Sequence, residues 1–127
     1  MTIHLDTSVL IEVVTTTRPL LPAYIAATEA GHRLVISSVV LYEWLRGPRV
    51  DSDIQLQRQL HPDDQIVLFG PSEAAKAGQL YRQLKRARGR QMDIAIAACA
   101  IEHAAALWTV NPVDFRDIPG LRLYVAP

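Results

Sequence analysis

Short apolar runs that alternate with helix-like stretches constrain this chain more than any other feature. Ile3 to Leu5, Leu34 to Ile36, Gln65 to Phe69 and Leu107 to Val110 each read as a compact strand, and Leu121 to Val125 alternates as a last one. Strands separated in this way by helices call for a parallel sheet covered on both faces. The expected fold is therefore α/β, a three-layer α/β/α arrangement around a short, mainly parallel central sheet.

The intervening segments carry helix signals. Ser8 or Thr7 can cap a helix from Val9 to about Val14, whose Val and Ile content needs packing to hold it. Pro19 to Ala30 is a second helix with Leu20, Leu21, Tyr24 and Ile25 on its apolar side, and Gly31 ends it. Ser37 or Ser38 caps a third, about Val39 to Arg46, stopped by Gly47-Pro48, and a polar helix follows from about Ser52 to Leu60. Pro71-Ser72-Glu73 starts a long helix through about Ala87, closed by Gly89. Met92 to Ala105 places Ile94, Ala97, Ile101 and Ala104 on one stripe, and Asp114 to Asp117 reads as a turn.

The 127 residues suit one domain, residues 1–127, with one core. Half of them are hydrophobic and the charges balance, 13 Lys and Arg against 13 Asp and Glu, which excludes a disordered chain. That balance also argues against a wholly basic nucleic-acid binder, while leaving room for a local basic patch. Cys99 is the only cysteine, so there is no intramolecular disulfide and no cysteine zinc cage. It lies on an apolar helix, where a small buried side chain is expected. No apolar run is long enough to cross a bilayer. The first residues are strand-like and lack the charged-then-apolar layout of a signal peptide. A soluble, cytoplasmic protein without a membrane partner is the expectation.

The acidic residues gain meaning once the sheet is taken as parallel. Open parallel sheets carry ligands at the carboxyl ends of their strands. Asp6 directly follows the first strand. Glu43 lies about one and a half turns into the helix after the second strand, and helical side chains lean back toward the N-terminus, so its carboxylate reaches the same rim. The helix beginning near Asp93 feeds a strand parallel to the others, so its first turn is also at that rim. Asn111 and Asp114 come just after that strand. Clustered anions raise one another's pKa values unless something neutralises them. Hard oxygen donors suit Mg²⁺ or Mn²⁺ better than zinc. Such an ion can activate a water and clamp a phosphate, and a second could stabilise the leaving oxygen. Each acid alone has a plainer explanation: Asp6 as a turn or cap residue, Asp93 as a partner of the helix dipole, Glu43 as an exposed helix charge. Their joint placement favours a metal site.

These segments resemble the PIN-domain ribonucleases, and more narrowly the VapC toxins of toxin–antitoxin pairs. The resemblance rests on Leu5-Asp6-Thr7-Ser8-Val9-Leu10-Ile11, on Ser37 to Gly47 around Glu43, on Asp93-Ile94-Ala95-Ile96-Ala97-Ala98, and on Thr109-Val110-Asn111-Pro112-Val113-Asp114-Phe115; Ile118-Pro119-Gly120-Leu121 is also similar. It covers nearly the whole chain, and its blocks occur in the right order. It implies that Asp6, Glu43 and Asp93 are the metal-binding catalytic acids, with Asn111 or Asp114 as the fourth position. Thr7 or Ser8 would orient a carboxylate or a water. It further implies Mg²⁺- or Mn²⁺-dependent endonucleolytic cleavage of RNA, often a structured RNA such as tRNA, leaving a 5′-phosphate and a 3′-hydroxyl. Homodimerisation and neutralisation by a cognate antitoxin belong to the same implication. The helices at Pro19 to Ala30 and Val39 to Arg46 would be the groove for an amphipathic antitoxin helix.

Arg82, Lys85, Arg86, Arg88 and Arg90 are concentrated just before Asp93. They fit a solvated helix end that complements the dipole. They equally fit cations that hold an RNA backbone beside an acidic site, fixing its position without reading its sequence. His4, His32, His61 and His103 lack zinc-motif spacing and read as surface or structural residues. Tyr24, Tyr42 and Trp44 flank apolar helix faces and read as core or interface residues rather than base-stacking platforms.

Two rival readings share the same residues. A phosphatase of the haloacid-dehalogenase type would use Asp6 as nucleophile, but it wants a second Asp where Ser8 stands and a lysine near the later acids, where there is none. A catalytically silent PIN-like binding module would keep the fold alone; the retained acids argue against it.

Overall fold

A computed structural model describes residues 1–15 and 17–127. Its centre is a four-stranded sheet of β1 (Thr2–Leu5), β2 (Arg33–Val35), β3 (Ala106–Trp108) and β4 (Arg122–Leu123), in the order β2-β1-β3-β4. All pairings are parallel: His4 is in register with Val35 on one side and Leu107 on the other, and Leu107 with Leu123. Among the described residues there are six α-helices: α1 (Thr7–Val14), α2 (Leu21–Glu29), α3 (Ser38–Arg46), α4 (Asp51–Leu60), α5 (Pro71–Gln83) and α6 (Gln91–Glu102). The sheet and helices form the three-layer α/β/α arrangement expected from the alternation.

The core explains why such short strands hold. Ile3 and Leu5 of β1, Leu107 and Trp108 of β3, and Val9, Leu10, Val13 and Val14 of α1 form one buried cluster. The β-branched residues of α1 are poor helix formers, and the complete burial of Val9, Val13 and Val14 supplies what propensity does not. α1 packs against α2, α3 and α4, while α5 and α6 pack on each other. No described helix is long and apolar enough to cross a membrane.

Several boundaries differ from the sequence expectation, each for a physical reason. Gln65 to Phe69 is not a strand. The chain winds a 3₁₀ turn at Asp63–Gln65 and then makes a single parallel bridge, Val67 to Ser37. Gly70-Pro71 opens α5 immediately afterwards, which leaves no length for a ladder, and Leu68 stays exposed. α5 stops at Gln83 rather than Ala87, because Leu84 turns extended and the segment carries Ala87 into the core. The helix expected to reach Ala105 ends at Glu102, where Ala104 takes a positive φ before β3. The strand expected to reach Val110 ends at Trp108, and the last strand is only Arg122–Leu123. The second helix starts at Leu21 and ends at Glu29. Asp6 itself, not Thr7 or Ser8, is the N-cap of α1, its carboxylate accepting from the Thr7 amide. Ser37 caps α3 by accepting from the Val40 amide.

Candidate active site

The strand order fixes where a ligand can sit. From β1 the chain goes to β2 on one side, then returns to β3 on the other, so the order reverses between β1 and β3. Ligands of open parallel sheets bind outside the strands' carboxyl ends at such a reversal. Asp6 follows β1 and Thr109 follows β3, and the two strand ends are stitched together there: the Asp6 amide donates to the Trp108 carbonyl at 2.9 Å.

Asp6 is buried and its carboxylate is held from three sides. Oδ1 accepts from the Thr7 amide at 2.9 Å. Oδ2 accepts from the Ser8 hydroxyl at 2.8 Å and from the Thr109 hydroxyl at 2.8 Å. A carboxylate offers about four acceptor positions, so three bonds fix its plane and leave about one position for a ligand. Glu43 is fixed in turn by Thr7, whose hydroxyl donates to Oε1 at 2.6 Å. Its other oxygen lies 3.4 Å from an Arg46 guanidinium nitrogen, a partly exposed pair of small energetic weight.

Asp93 is in the first turn of α6 and half-buried, and its side chain has no hydrogen-bond partner among the described residues. Its pKa is raised to about 6, first by loss of solvent on burial and then by the charges of Asp6, Glu43 and Asp114; Arg90 opposes the shift. Acids that are far apart in the sequence thus act on one side chain. They converge without closing into a cage: among the described residues, no three His, Cys, Asp or Glu side chains stand close enough to enclose an ion. The donor set still fits a hard divalent cation. Its donors are oxygens alone, and Mg²⁺ keeps several waters and takes only one or two carboxylates directly.

Asn111 and Asp114 flank a 3₁₀ turn, Pro112–Asp114, and both are exposed. The Asn111 amide donates to the Thr109 hydroxyl at 3.0 Å, which ties this turn to the oxygen that orients Asp6. Asp114 adds its charge to those that raise the pKa of Asp93, and Asn111 offers a neutral oxygen.

The basic segment lies at the same rim. α5 and α6 run antiparallel: the Glu73 carboxylate near the start of α5 meets His103 at the end of α6, 3.0 Å apart. The end of α5 must therefore lie beside the start of α6. Arg82, Lys85, Arg86 and Arg88 are exposed there. Arg90 has a different occupation. It grips Asp117 with two bonds of 2.7 and 2.8 Å and donates to the carbonyls of Asp114 and Arg86. That grip holds its guanidinium well above its usual pKa and the Asp117 carboxyl well below. Arg90 is a clamp that fastens the start of α6 to the turn carrying Asp114.

Sequence reasoning gave Thr109 no role, although it stands after β3 as Asp6 stands after β1, and a hydroxyl one strand away from a buried carboxylate is a natural donor. Of the histidines expected at the surface or in structural roles, His4 and His61 are buried, His32 is half-buried and His103 is exposed. His4 is buried with Nε2 unpartnered, and burial, helped by His103 and Arg33, lowers its pKa to about 4. His61 is buried against the Tyr24 hydroxyl at 3.1 Å, and burial lowers its pKa to about 4. Trp44 and Tyr24 belong to the core, while Tyr42 is exposed. An apolar concavity of about 400 Å³ lies between α2 and the end of α4, lined by Leu21, Tyr24, Ile25 and Leu60.

The chain belongs to the PIN-domain family, whose model matches residues 3–121. A search of curated proteins gives no match. Solved structures share the fold at low identity. A chain of VapBC2 from Rickettsia felis, bound to a DNA fragment from its promoter, is 22% identical with a TM-score of 0.79, and 98% of each chain is covered. A chain of DNA-bound VapBC from Salmonella typhimurium is 21% identical with a TM-score of 0.77, covering 98% of this chain and 97% of that one. A toxin–antitoxin complex from Klebsiella pneumoniae contributes a chain 24% identical with a TM-score of 0.69, and 93% of each chain is covered.

Proposed function

We propose that this PIN domain is a Mg²⁺- or Mn²⁺-dependent endoribonuclease, the toxin of a type II toxin–antitoxin pair of the VapC kind. The observation that carries the reading is the convergence of acids at one rim: Thr7 binds both Asp6 and Glu43, and Asp93 opens α6 near enough to them for their charge, after burial, to raise its pKa. Groups with shifted pKa values cluster at functional sites, because the crowding that shifts them costs stability and serves chemistry. In the proposed site Asp6, Glu43 and Asp93 hold the cation, and Asp114 or Asn111 completes the set. A hard divalent cation supplies the positive charge that a scissile phosphate and an attacking water need.

The chain's own residues prepare the site. Ser8 and Thr109 fix the Asp6 carboxylate, and Thr7 fixes Glu43, so these oxygens lose little freedom when a ligand arrives. Arg90 fixes the turn that carries Asp114. Arg82, Lys85, Arg86 and Arg88 offset the repulsion between an acidic hollow and a polyanionic substrate. The expected products are a 5′-phosphate and a 3′-hydroxyl.

A gel assay tests this. Purified protein with Mg²⁺ or Mn²⁺ should cut RNA, EDTA should stop it, and Asp6→Asn should lower the rate by about 10²–10³-fold, the scale for loss of a preorganised charge in a site. Uncut RNA under every metal condition would leave the silent binding module standing. Phosphate release from small substrates would restore the phosphatase reading.

Partnership rests on the same reading. The fold neighbours come from VapBC and other toxin–antitoxin complexes. The apolar concavity at α2 and α4, with Ile25 exposed beside it, suits an amphipathic antitoxin helix. Exposed Leu68 and Phe69 suit a homodimer. Light scattering of the protein alone, then with a co-expressed candidate antitoxin, should give a dimer and then a larger complex. A monomer in both states would remove these partners.

A further inference from the structure

A second concavity, of about 340 Å³, opens beside the carboxylates, between the turn after β3 and the C-terminal segment 123–126. Its walls are Trp108, Thr109, Pro112, Arg116 and Tyr124. Thr109 belongs to both places, since its hydroxyl also donates to Asp6. Thr109 is thus the wall shared by the concavity and the carboxylates. We infer that this concavity is a subsite for one unpaired nucleobase of the RNA, next to the scissile phosphate, with Arg116 on its backbone or against its plane. The inference rests on the nuclease reading and names a specificity pocket for it.

The chemistry of the walls favours a nucleotide. Sequence-tolerant and sequence-selective RNA sites alike receive splayed bases on aromatic rings and guanidinium planes. Tyr124 is half-buried and is packed edge-on against the buried Trp108, with ring centroids 5.4 Å apart, so its orientation is set before any ligand arrives. Pro112 supplies a rigid apolar wall on the turn that carries Asp114. Arg116 is exposed and makes no hydrogen bond or ion pair among the described residues, unlike Arg46, Arg49 and Arg90, which have internal partners. The volume lies at the small end of ligand pockets, about 300–1,000 Å³. That suits a single base with its ribose rather than a run of nucleotides.

Binding can be read without catalysis. The four nucleoside 5′-monophosphates, and ribose 5-phosphate as the base-free control, would be titrated into ¹⁵N-labelled protein in EDTA. At least one nucleotide should shift the amides of Thr109, Arg116, Tyr124 and Val125 and the Trp108 indole signal, and the base-free control should shift them much less. Arg116→Glu, at an exposed position that should fold, should weaken the shifts by about tenfold or more, as expected for loss of a charge-assisted contact. Tyr124→Leu should weaken them while leaving phosphate contacts in place. No shifts, shifts confined to the Arg82 to Arg88 segment, equal shifts with ribose 5-phosphate, or indifference to Arg116→Glu would each overturn the subsite. The nuclease reading stands or falls separately, on the cation-dependent gel assay.

Discussion

The two ends of α6 hold the same kind of residue in opposite circumstances. At its start, Asp93 is half-buried among other acids, without a hydrogen-bond donor among the described residues, and its pKa is raised to about 6. About 15 Å away along the helix, at 1.5 Å per residue, His103 meets Glu73. There the carboxylate accepts from the Gly70 amide and from the histidine, and its pKa is pushed below the usual range, first by its own backbone N–H. The helix dipole favours an anion at the start of α6, yet burial and neighbouring charge outweigh it there. One end has been assembled for stability, the other against it. Sites that are costly to the free protein and useful to a ligand are where function is expected.

The sharpest way to break this contrast is Asp93→Asn. It should lower RNA cleavage by about 10²–10³-fold, while raising the stability of the metal-free protein at pH 7 to 8 by of order 1–2 kcal/mol, the shift being discounted for partial exposure. Denaturant melts in EDTA and single-turnover cleavage would measure the two. A loss of both stability and activity would mean that Asp93 is a structural residue.

Acidification should separate the two ends next. His4 and His61 have folded pKa values of about 4, below the ordinary value of 6.5. The unfolded chain therefore takes up their protons first as pH falls. Their contribution is complete above about pH 6.5 and is lost toward pH 4, of order 3 kcal/mol per histidine from a shift of that size. Asp93 acts with the opposite sign. Its folded pKa is raised, so its penalty is present at neutral pH and disappears as pH falls from about 6 toward 3.8. Two histidines outweigh one aspartate, so stability in EDTA should fall between pH 6.5 and 4, and more steeply in Asp93→Asn. A flat profile over that range would remove the buried neutral histidines.

Glu73→Ala should do the reverse of Asp93→Asn. It removes the cap on the Gly70 amide and the His103 contact, and should cost about 1–2 kcal/mol of stability. Cleavage per folded molecule should be unchanged; a matching fall in rate would mean that the two ends of α6 are coupled. The smallest effect is expected at the basic rim. Arg86→Ala with Arg88→Ala should weaken RNA binding and flatten its dependence on log salt by about one unit per lost phosphate contact. An unchanged slope would take these cations off the substrate path and leave Arg116 as the cation beside the site.

Much of the site was legible in the chain because its logic is local. Asp6 must lie at a strand end, since it follows the strand-like Ile3-His4-Leu5, and Asp93 must open a helix that feeds a strand. A parallel sheet then carries both to one rim. Less local features escaped. Gln65 to Phe69 has the composition of a strand, yet the turn before it and Gly70-Pro71 after it leave it one bridge. Arg90 looks like its neighbours in a basic run, and only the approach of Asp117 from 27 residues away makes it a clamp.

The sequence by itself determined the class of fold and which acids stand at strand and helix ends, because periodicity and strand-end position are properties of a chain read along its length. The tertiary structure alone decided which hydroxyl orients which carboxylate, which arginine is committed and which remains open, and that Thr109 lines a hollow as well as binding Asp6. These depend on the order β2-β1-β3-β4, which brings Thr109 to Asp6 from 103 residues away. Hydrogen bonds and charge act over a few ångströms, so their partners are chosen by how the layers pack and not by distance along the chain.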